Sequence, residues 1–87
     1  MQNNNMSTHE MCLILKWQDI VGTKIGEYTR PKKISYTQNT RSGTLYLIAI
    51  NGGTELKIHS MIHVIVAKIS IFFGYKIINN IKVQQET

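Results

Sequence analysis

A run of β-branched and aromatic residues near the middle of the chain, TLYLIAI at residues 44–50, is the clearest indication of the fold class. Its side chains form two alternating sets, namely Leu45, Leu47 and Ala49 against Tyr46, Ile48 and Ile50. Because successive side chains of a strand point to opposite faces of a sheet, the run predicts a strand with two apolar faces. One face must cover the core, and the other is either buried by a partner or exposed as an apolar patch.

A second strand is predicted just before this run. From Lys33 onward, the residues Ile34 and Tyr36 recur with period two, and turn-forming residues follow at 38–43. This pattern indicates an antiparallel hairpin that is closed by a loop of about five residues.

A helix is predicted ahead of the hairpin. Ser7 and Glu10 have the spacing of a capping box, which begins a helix. Pro31 disfavours helical geometry at the residue before it, so the helix ends by Thr29. The predicted buried stripe is Leu13, Trp17, Ile20, Val21, Ile25 and Tyr28.

Two glycines, Gly22 and Gly26, lie inside this helical pattern. Each costs a helix roughly 1 kcal/mol relative to alanine. They indicate either a close approach of another backbone or a frayed last turn.

Residues after the hairpin predict one more helix and one more strand. The run from Thr54 to Phe73 is too long for a strand, and Gly74 suits the left-handed residue that closes a helix. Tyr75 to Val83 then reads as a third strand. The predicted fold class is α+β, with two layers and a three-stranded sheet backed by two helices in the order α-β-β-α-β.

Length and composition bound the protein further. The chain has 87 residues, a net charge of +5 and one cysteine, Cys12, which excludes an intramolecular disulfide and Cys-rich zinc modules. We expect a single domain at 7–84, with a disordered N-terminus at 1–6 and a C-terminal tail at 85–87. No apolar run reaches the roughly 18–20 residues of a membrane span, so we expect a cytoplasmic protein with no membrane partner.

Residue patterns for catalysis are weak. His59 and His63 are four residues apart on one helix face, but no third metal ligand is evident, and the five acids are dispersed. Gly22 and Gly26 do not form a phosphate-binding loop. We therefore expect no enzyme activity, no metal or other cofactor, and no small-molecule substrate.

Basic residues point to a binding surface. Residues 30–87 hold eight Lys or Arg against two acids. The candidate nucleic-acid-binding residues are Arg30, Lys32, Lys33, Arg41, Lys76 and Lys82, which could line one edge of the sheet, and Tyr36, Tyr46 or Tyr75 could stack on bases. Alternatively, the domain binds only protein, through Tyr46, Ile48 and Ile50, and the charges maintain solubility.

Several short motifs together resemble the DciA family of bacterial proteins. They are Trp17-Gln18-Asp19-Ile20-Val21-Gly22, Tyr28-Thr29-Arg30-Pro31, Gly43-Thr44-Leu45-Tyr46-Leu47, Glu55-Leu56, Phe73-Gly74-Tyr75 and Asn80-Ile81-Lys82. The likeness covers about residues 10–84, and its most specific part is W-x-x-I-V-G followed by T-R-P.

This resemblance implies a KH-like domain that delivers a DnaB-type replicative helicase onto single-stranded DNA, which the chain itself would contact weakly. It implies no catalytic residue. Many members continue into a basic C-terminal extension, and from a sequence that ends at Thr87 we expect the folded module without it. The GxxG loop of KH domains is absent, which disfavours the further alternative of a KH-like RNA-binding module.

Overall fold

The computed structural model describes residues 8–36, 43–50 and 53–85. The first helical region comprises Thr8–Leu15 (α1), Trp17–Val21 (α2) and Thr23–Gly26 (α3), and strands Thr29–Tyr36 (β1) and Gly43–Ala49 (β2) follow it. The second helical region comprises Glu55–Ser60 (α4) and Ile62–Phe73 (α5), and strand Ile78–Gln85 (β3) comes last. The mixed α+β class and the three-stranded sheet are confirmed.

Strand β2 lies at the centre of the sheet. It pairs with β1 in antiparallel orientation and with β3 in parallel orientation. The inner face of β2, formed by Leu45, Leu47 and Ala49, is buried. Helices cover this face, and Ile58 and Ile69 belong to the same core cluster. The predicted assignment of one β2 face to the core is therefore correct.

The first helical region is three short helices and not one continuous helix. Gly22 separates α2 from α3 with φ = 91°, a left-handed backbone that side chains rarely adopt. At Gly26, a Cβ atom would lie 2.6 Å from Cγ of Gln18 and 3.4 Å from its Cα. The crowding at Gly26 therefore comes from the Gln18 side chain, and the nearest backbone atom lies at an ordinary contact distance, so the predicted close approach of another backbone is not seen at either glycine. The turn at Gly22 divides α2 from α3, and Lys16, with φ = −112° and ψ = 19°, divides α1 from α2.

The apolar stripe of this region is nevertheless buried as predicted. Leu13, Trp17, Ile20, Val21 and Ile25 all belong to the core, and Tyr28 is half-buried against it.

A buried hydrogen-bond chain joins this helical region to β1. The indole Nε1 of Trp17 donates to Oγ1 of Thr29 at 2.9 Å, and that hydroxyl donates to the carbonyl of Ile25 at 2.8 Å. Glu10 of α1 makes a second link, since its carboxylate accepts the backbone amide of Ile34 at 2.7 Å. Helix α1 thereby protects part of a sheet edge, where unpaired amides promote aggregation. Ser7, the predicted cap, lies outside the described residues.

The second helical region is also divided. Met61 leaves helical geometry with φ = −108° and ψ = 8°, so the predicted helix becomes α4 and α5. Gly74 closes α5 in the left-handed conformation at φ = 84°, as expected. Phe73 packs against the core, whereas Phe72 is exposed. The break at Met61 lets both short helices turn an isoleucine toward the sheet.

The third strand begins at Ile78, three residues later than predicted. Ile77 and Ile78 are both buried, which a regular strand with one buried face does not allow for consecutive residues. Residues 75–77 instead carry the chain from the helical layer to the sheet, and the amide of Gly43 donates to the Ile77 carbonyl at 2.8 Å.

Candidate nucleic-acid interface

The outer face of the sheet, opposite the helices, carries residues in three rows that cross all three strands. From the strand pairing, the rows are Arg30–Ile48–Gln84, Lys33–Tyr46–Lys82 and Ser35–Thr44–Asn80. Neighbouring strands are about 4.8 Å apart, so the end residues of each row lie on the order of 10 Å from each other at their Cα atoms. We call this surface the outer sheet face.

A β-bulge determines which lysines reach this face. The register of β1 shifts between Pro31 and Lys33, so one extra residue, Lys32, is inserted opposite β2. Pro31 and Ile34 on either side of the two lysines are buried, and both lysines are exposed. Without the bulge, the period of two would turn Lys33 toward the core. The bulge therefore places two adjacent cations on the same face of the sheet.

Contacts across the face confirm where the lysine side chains lie. The Lys33 ammonium lies over the Tyr46 ring, 5.1 Å from its centroid, which is within the range of a cation–π interaction. The Lys32 ammonium lies 3.5 Å from Oε1 of Gln84 on β3. Both side chains thus extend over β2 from one side.

The charge of the outer sheet face has one sign. The three rows and Lys32 contain four cations and no acid. Of the acids in the described part of the chain, Glu10 is buried between α1 and β1, and Asp19, Glu27 and Glu55 belong to or follow helices. A sheet face with cations on both sides of an aromatic ring suits phosphates and exposed bases.

Not every predicted cation reaches this face. Arg30, Lys32, Lys33 and Lys82 do, but Lys76 precedes β3 in the connection from α5, because the strand begins late. Arg41 lies outside the described residues. The cations flank the central strand on both sides and do not line one edge of the sheet, because β2, which carries none of them, lies between β1 and β3.

Of the three tyrosines suggested for base stacking, Tyr46 alone has a place in the three rows. Tyr36 pairs with Gly43 at the end of β1, in step with the inward-facing Ile34. The Tyr75 hydroxyl lies 2.9 Å from Nε2 of His9 in α1, on the helical side of the domain. Tyr36 and Tyr75 are exposed but lie away from the three rows, so they do not share the outer sheet face with the cations.

The residues suggested for protein binding share the outer sheet face with the cations. Tyr46 and Ile48 are half-buried in the middle of it, and Ile50 is half-buried just after β2 ends. From the sequence, the basic residues and the apolar residues were two alternative binding surfaces. The structure brings them together, because both alternate with the same buried residues of β1 and β2.

Residues that sequence reasoning missed complete the face. Gln84 and Asn80 on β3 add amide groups beside the cations. A signal for the bulge was present in Pro31, which lacks an amide donor and is confined to edge strands or bulges.

The described residues were expected to hold no metal site, and the arrangement of their possible ligands bears on that expectation. Among them, no three His, Cys, Asp or Glu side chains lie close enough together to hold a metal ion. His59 has Glu55 as a neighbour, with Nε2 at 3.9 Å from the carboxylate. In the same part of the chain, no helix is long and apolar enough to cross a membrane.

The described structure is a small α+β fold with a basic outer sheet face that carries one aromatic ring at its centre. The family model described as "Dna[CI] antecedent, DciA" matches residues 8–83, so the chain belongs to the DciA family. No curated protein and no solved structure matches the chain. Membership associates it with DNA replication and with the loading of DnaB-type helicases, and the family consists of accessory proteins and not of known enzymes.

Proposed function

We propose that this protein is a non-enzymatic accessory factor that binds the DnaB-type replicative helicase and assists its loading on single-stranded DNA. Family membership supports the helicase partner. The observation that carries the DNA partner is the row Lys33–Tyr46–Lys82, which sets an aromatic ring between two cations on the outer sheet face. The protein would act in the cytoplasm and would need no cofactor.

The geometry favours single strands over duplexes. A base can stack on Tyr46 only if its own face is free, and the bases of a duplex are already stacked on each other. Lys33 now lies over the ring, so stacking requires its ammonium to move aside, where it can pair with a phosphate. Four cations on one small face predict weak, salt-dependent binding.

We also assign the domain to the KH-like architecture. Its support is the order of the regions, in which helices precede β1 and β2 and a second set of helices precedes β3. Because the sequence has no GxxG loop, the outer sheet face and not such a loop would contact the nucleic acid.

A second candidate function is protein binding without nucleic acid. The observation that favours it is the half-buried apolar pair Tyr46 and Ile48 at the centre of the outer sheet face. A protein there would exclude DNA, because both would need the same residues. Alanine at both positions would then abolish capture of the partner while the fold remains intact.

Binding to a labelled single-stranded oligonucleotide tests the DNA part. We expect the double variant Lys33→Glu and Lys82→Glu to bind at least tenfold more weakly than the wild type. For single strands, each phosphate contact contributes about 0.7 to the slope of log affinity against log salt. The variant should therefore reduce the magnitude of the slope by about 1.4. Fluorescence anisotropy at several salt concentrations gives both values.

A charge-matched control separates a local site from overall charge. Lys16 and Lys24 are exposed in the first helical region, and replacing both with glutamate changes the net charge equally. This control should retain most of the affinity. An equal loss in both double variants, or a flat salt response of the wild type, would show that the outer sheet face is not the DNA site.

Purified replicative helicase from the same organism tests the other half of the proposal. Immobilised protein should retain the helicase, and the complex should load it on single-stranded DNA more efficiently than helicase alone. Tighter binding to RNA than to DNA of matched sequence would instead support the KH-like RNA-binding alternative.

A further inference from the structure

The solvent-facing side of α5 is apolar, which is unusual for a surface helix. Val64, Ala67 and Ile71 follow helical spacing and are exposed, and Ile71 is 80% exposed. The opposite side of the same helix holds Ile65 and Ile69, which are fully buried. Helix α5 packs against β3 and α2 through that buried side, and no described element covers the other. We call Val64, Ala67 and Ile71 the α5 ridge.

A helix that is apolar all round is normally buried. Most surface helices carry charges where α5 carries Val64 and Ile71, so this helix has the composition of one covered on both sides. Its only fixed charge is Lys68, at one flank of the ridge, and His63 lies at the other. These observations indicate that a partner covers the ridge.

The shape and charge of the ridge define that partner. Ala67 is small and lies between two larger residues, which permits a second helix to pack closely across it. Lys68 provides positive charge at the flank, and α5 has no acidic residue. A second copy of this chain would bring two Lys68 ammonium groups to one seam. An amphipathic helix complements both features, because its apolar face can pack on the ridge and acidic residues beside that face can pair with Lys68.

We propose that the α5 ridge binds an amphipathic helix with acidic flanks, and that this helix belongs to the replicative helicase. The assignment of this helix to the helicase rests on the function proposed above. The ridge and the outer sheet face belong to opposite layers of the domain. The helicase and single-stranded DNA therefore bind at the same time, as a loading factor requires.

Two binding measurements on each variant test this arrangement. The first uses the purified DnaB-type helicase of the same organism, and the second uses the single-stranded oligonucleotide. Ile71→Glu should weaken helicase binding at least tenfold and leave oligonucleotide binding unchanged. The double variant Lys33→Glu and Lys82→Glu should weaken oligonucleotide binding and leave helicase binding unchanged. Lys68→Glu should also weaken helicase binding, and Lys68→Arg, which keeps the positive charge, should bind helicase as the wild type does.

Leu15→Glu is the matched control, because it places the same charge at an exposed leucine of α1. It should bind both partners as the wild type does. Ile71 is exposed, so its replacement should leave the thermal unfolding midpoint nearly unchanged.

The possible failures are distinct. Helicase binding that survives Ile71→Glu overturns the α5 ridge as the docking surface and leaves the proposed function intact. A wild type that does not bind helicase overturns the proposed function and this occupant together. A wild-type dimer that Ile71→Glu dissociates, seen by analytical ultracentrifugation, shows that the occupant is a second copy, which also overturns the proposal.

Discussion

Replacing Thr29 with valine should destabilise the domain, because it removes the hydroxyl group that links Trp17 to Ile25. Thr29 is 2% exposed and Trp17 is 5% exposed, so water cannot replace the lost hydrogen bond. Valine has nearly the same shape as threonine, and the substitution therefore leaves no cavity. The change isolates the hydrogen-bonding role of the hydroxyl.

The size of the destabilisation depends on which groups lose a hydrogen-bond partner. The Ile25 carbonyl still accepts the amide of Tyr28 at 3.1 Å, so the indole N–H of Trp17 is the group left unpaired. An unsatisfied buried donor costs about 1–3 kcal/mol. For a domain of this size, each kcal/mol lowers the unfolding midpoint by about 4–8 °C, so we expect a decrease on the order of 10 °C.

Fluorescence of Trp17, which is the only tryptophan in the chain, reports unfolding directly. Thr29→Ser is the control, since it keeps the hydroxyl and loses one methyl group, at a cost of about 1 kcal/mol. If Thr29→Val is no less stable than Thr29→Ser, the buried hydrogen bond does not hold the first helical region to β1 as we argue.

Two other substitutions test the outer sheet face and the turn between α2 and α3. Tyr46→Leu should weaken binding of the single-stranded oligonucleotide by about 5-fold to 150-fold, since base stacking contributes about 1–3 kcal/mol, and Tyr46→Phe should retain it. Equal affinity of both variants, measured by anisotropy, would exclude stacking on Tyr46. Gly22→Ala should cost about 1–3 kcal/mol in urea unfolding, because φ = 91° with ψ = 156° is a backbone region that almost only glycine adopts, although the site has open space. An unchanged unfolding midpoint would show that the turn between α2 and α3 tolerates a side chain.

Local patterns predicted the elements whose signal lies in neighbouring residues. The two faces of β2, the buried stripe with Trp17 and the closing role of Gly74 all follow from periodicity or from one residue's backbone preference. The breaks at Gly22 and Met61 were missed, because a regular period continues across both positions. Their geometry depends on how each short helix meets the sheet.

The candidate site was predictable by residue type and not by arrangement. Lys33 and Lys82 were identified from charge, and Tyr46 from its place in an apolar run. Their meeting in one row depends on the pairing of β2 with β3, which are separated in sequence by two helices. The spacing of residues along the chain does not indicate how β2 and β3 are aligned with each other.

The amino-acid sequence alone was enough to predict the α+β class, the inward face of β2, the basic character of residues 30–87 and the likeness to the DciA family. These properties are local or compositional, and they survive small errors in the placement of elements. That the basic and apolar residues share the outer sheet face became evident only from the folded arrangement of the strands. The β-bulge and the order β1-β2-β3 are the physical reason, because the first turns both Lys32 and Lys33 outward and the second places Lys82 on the far side of Tyr46.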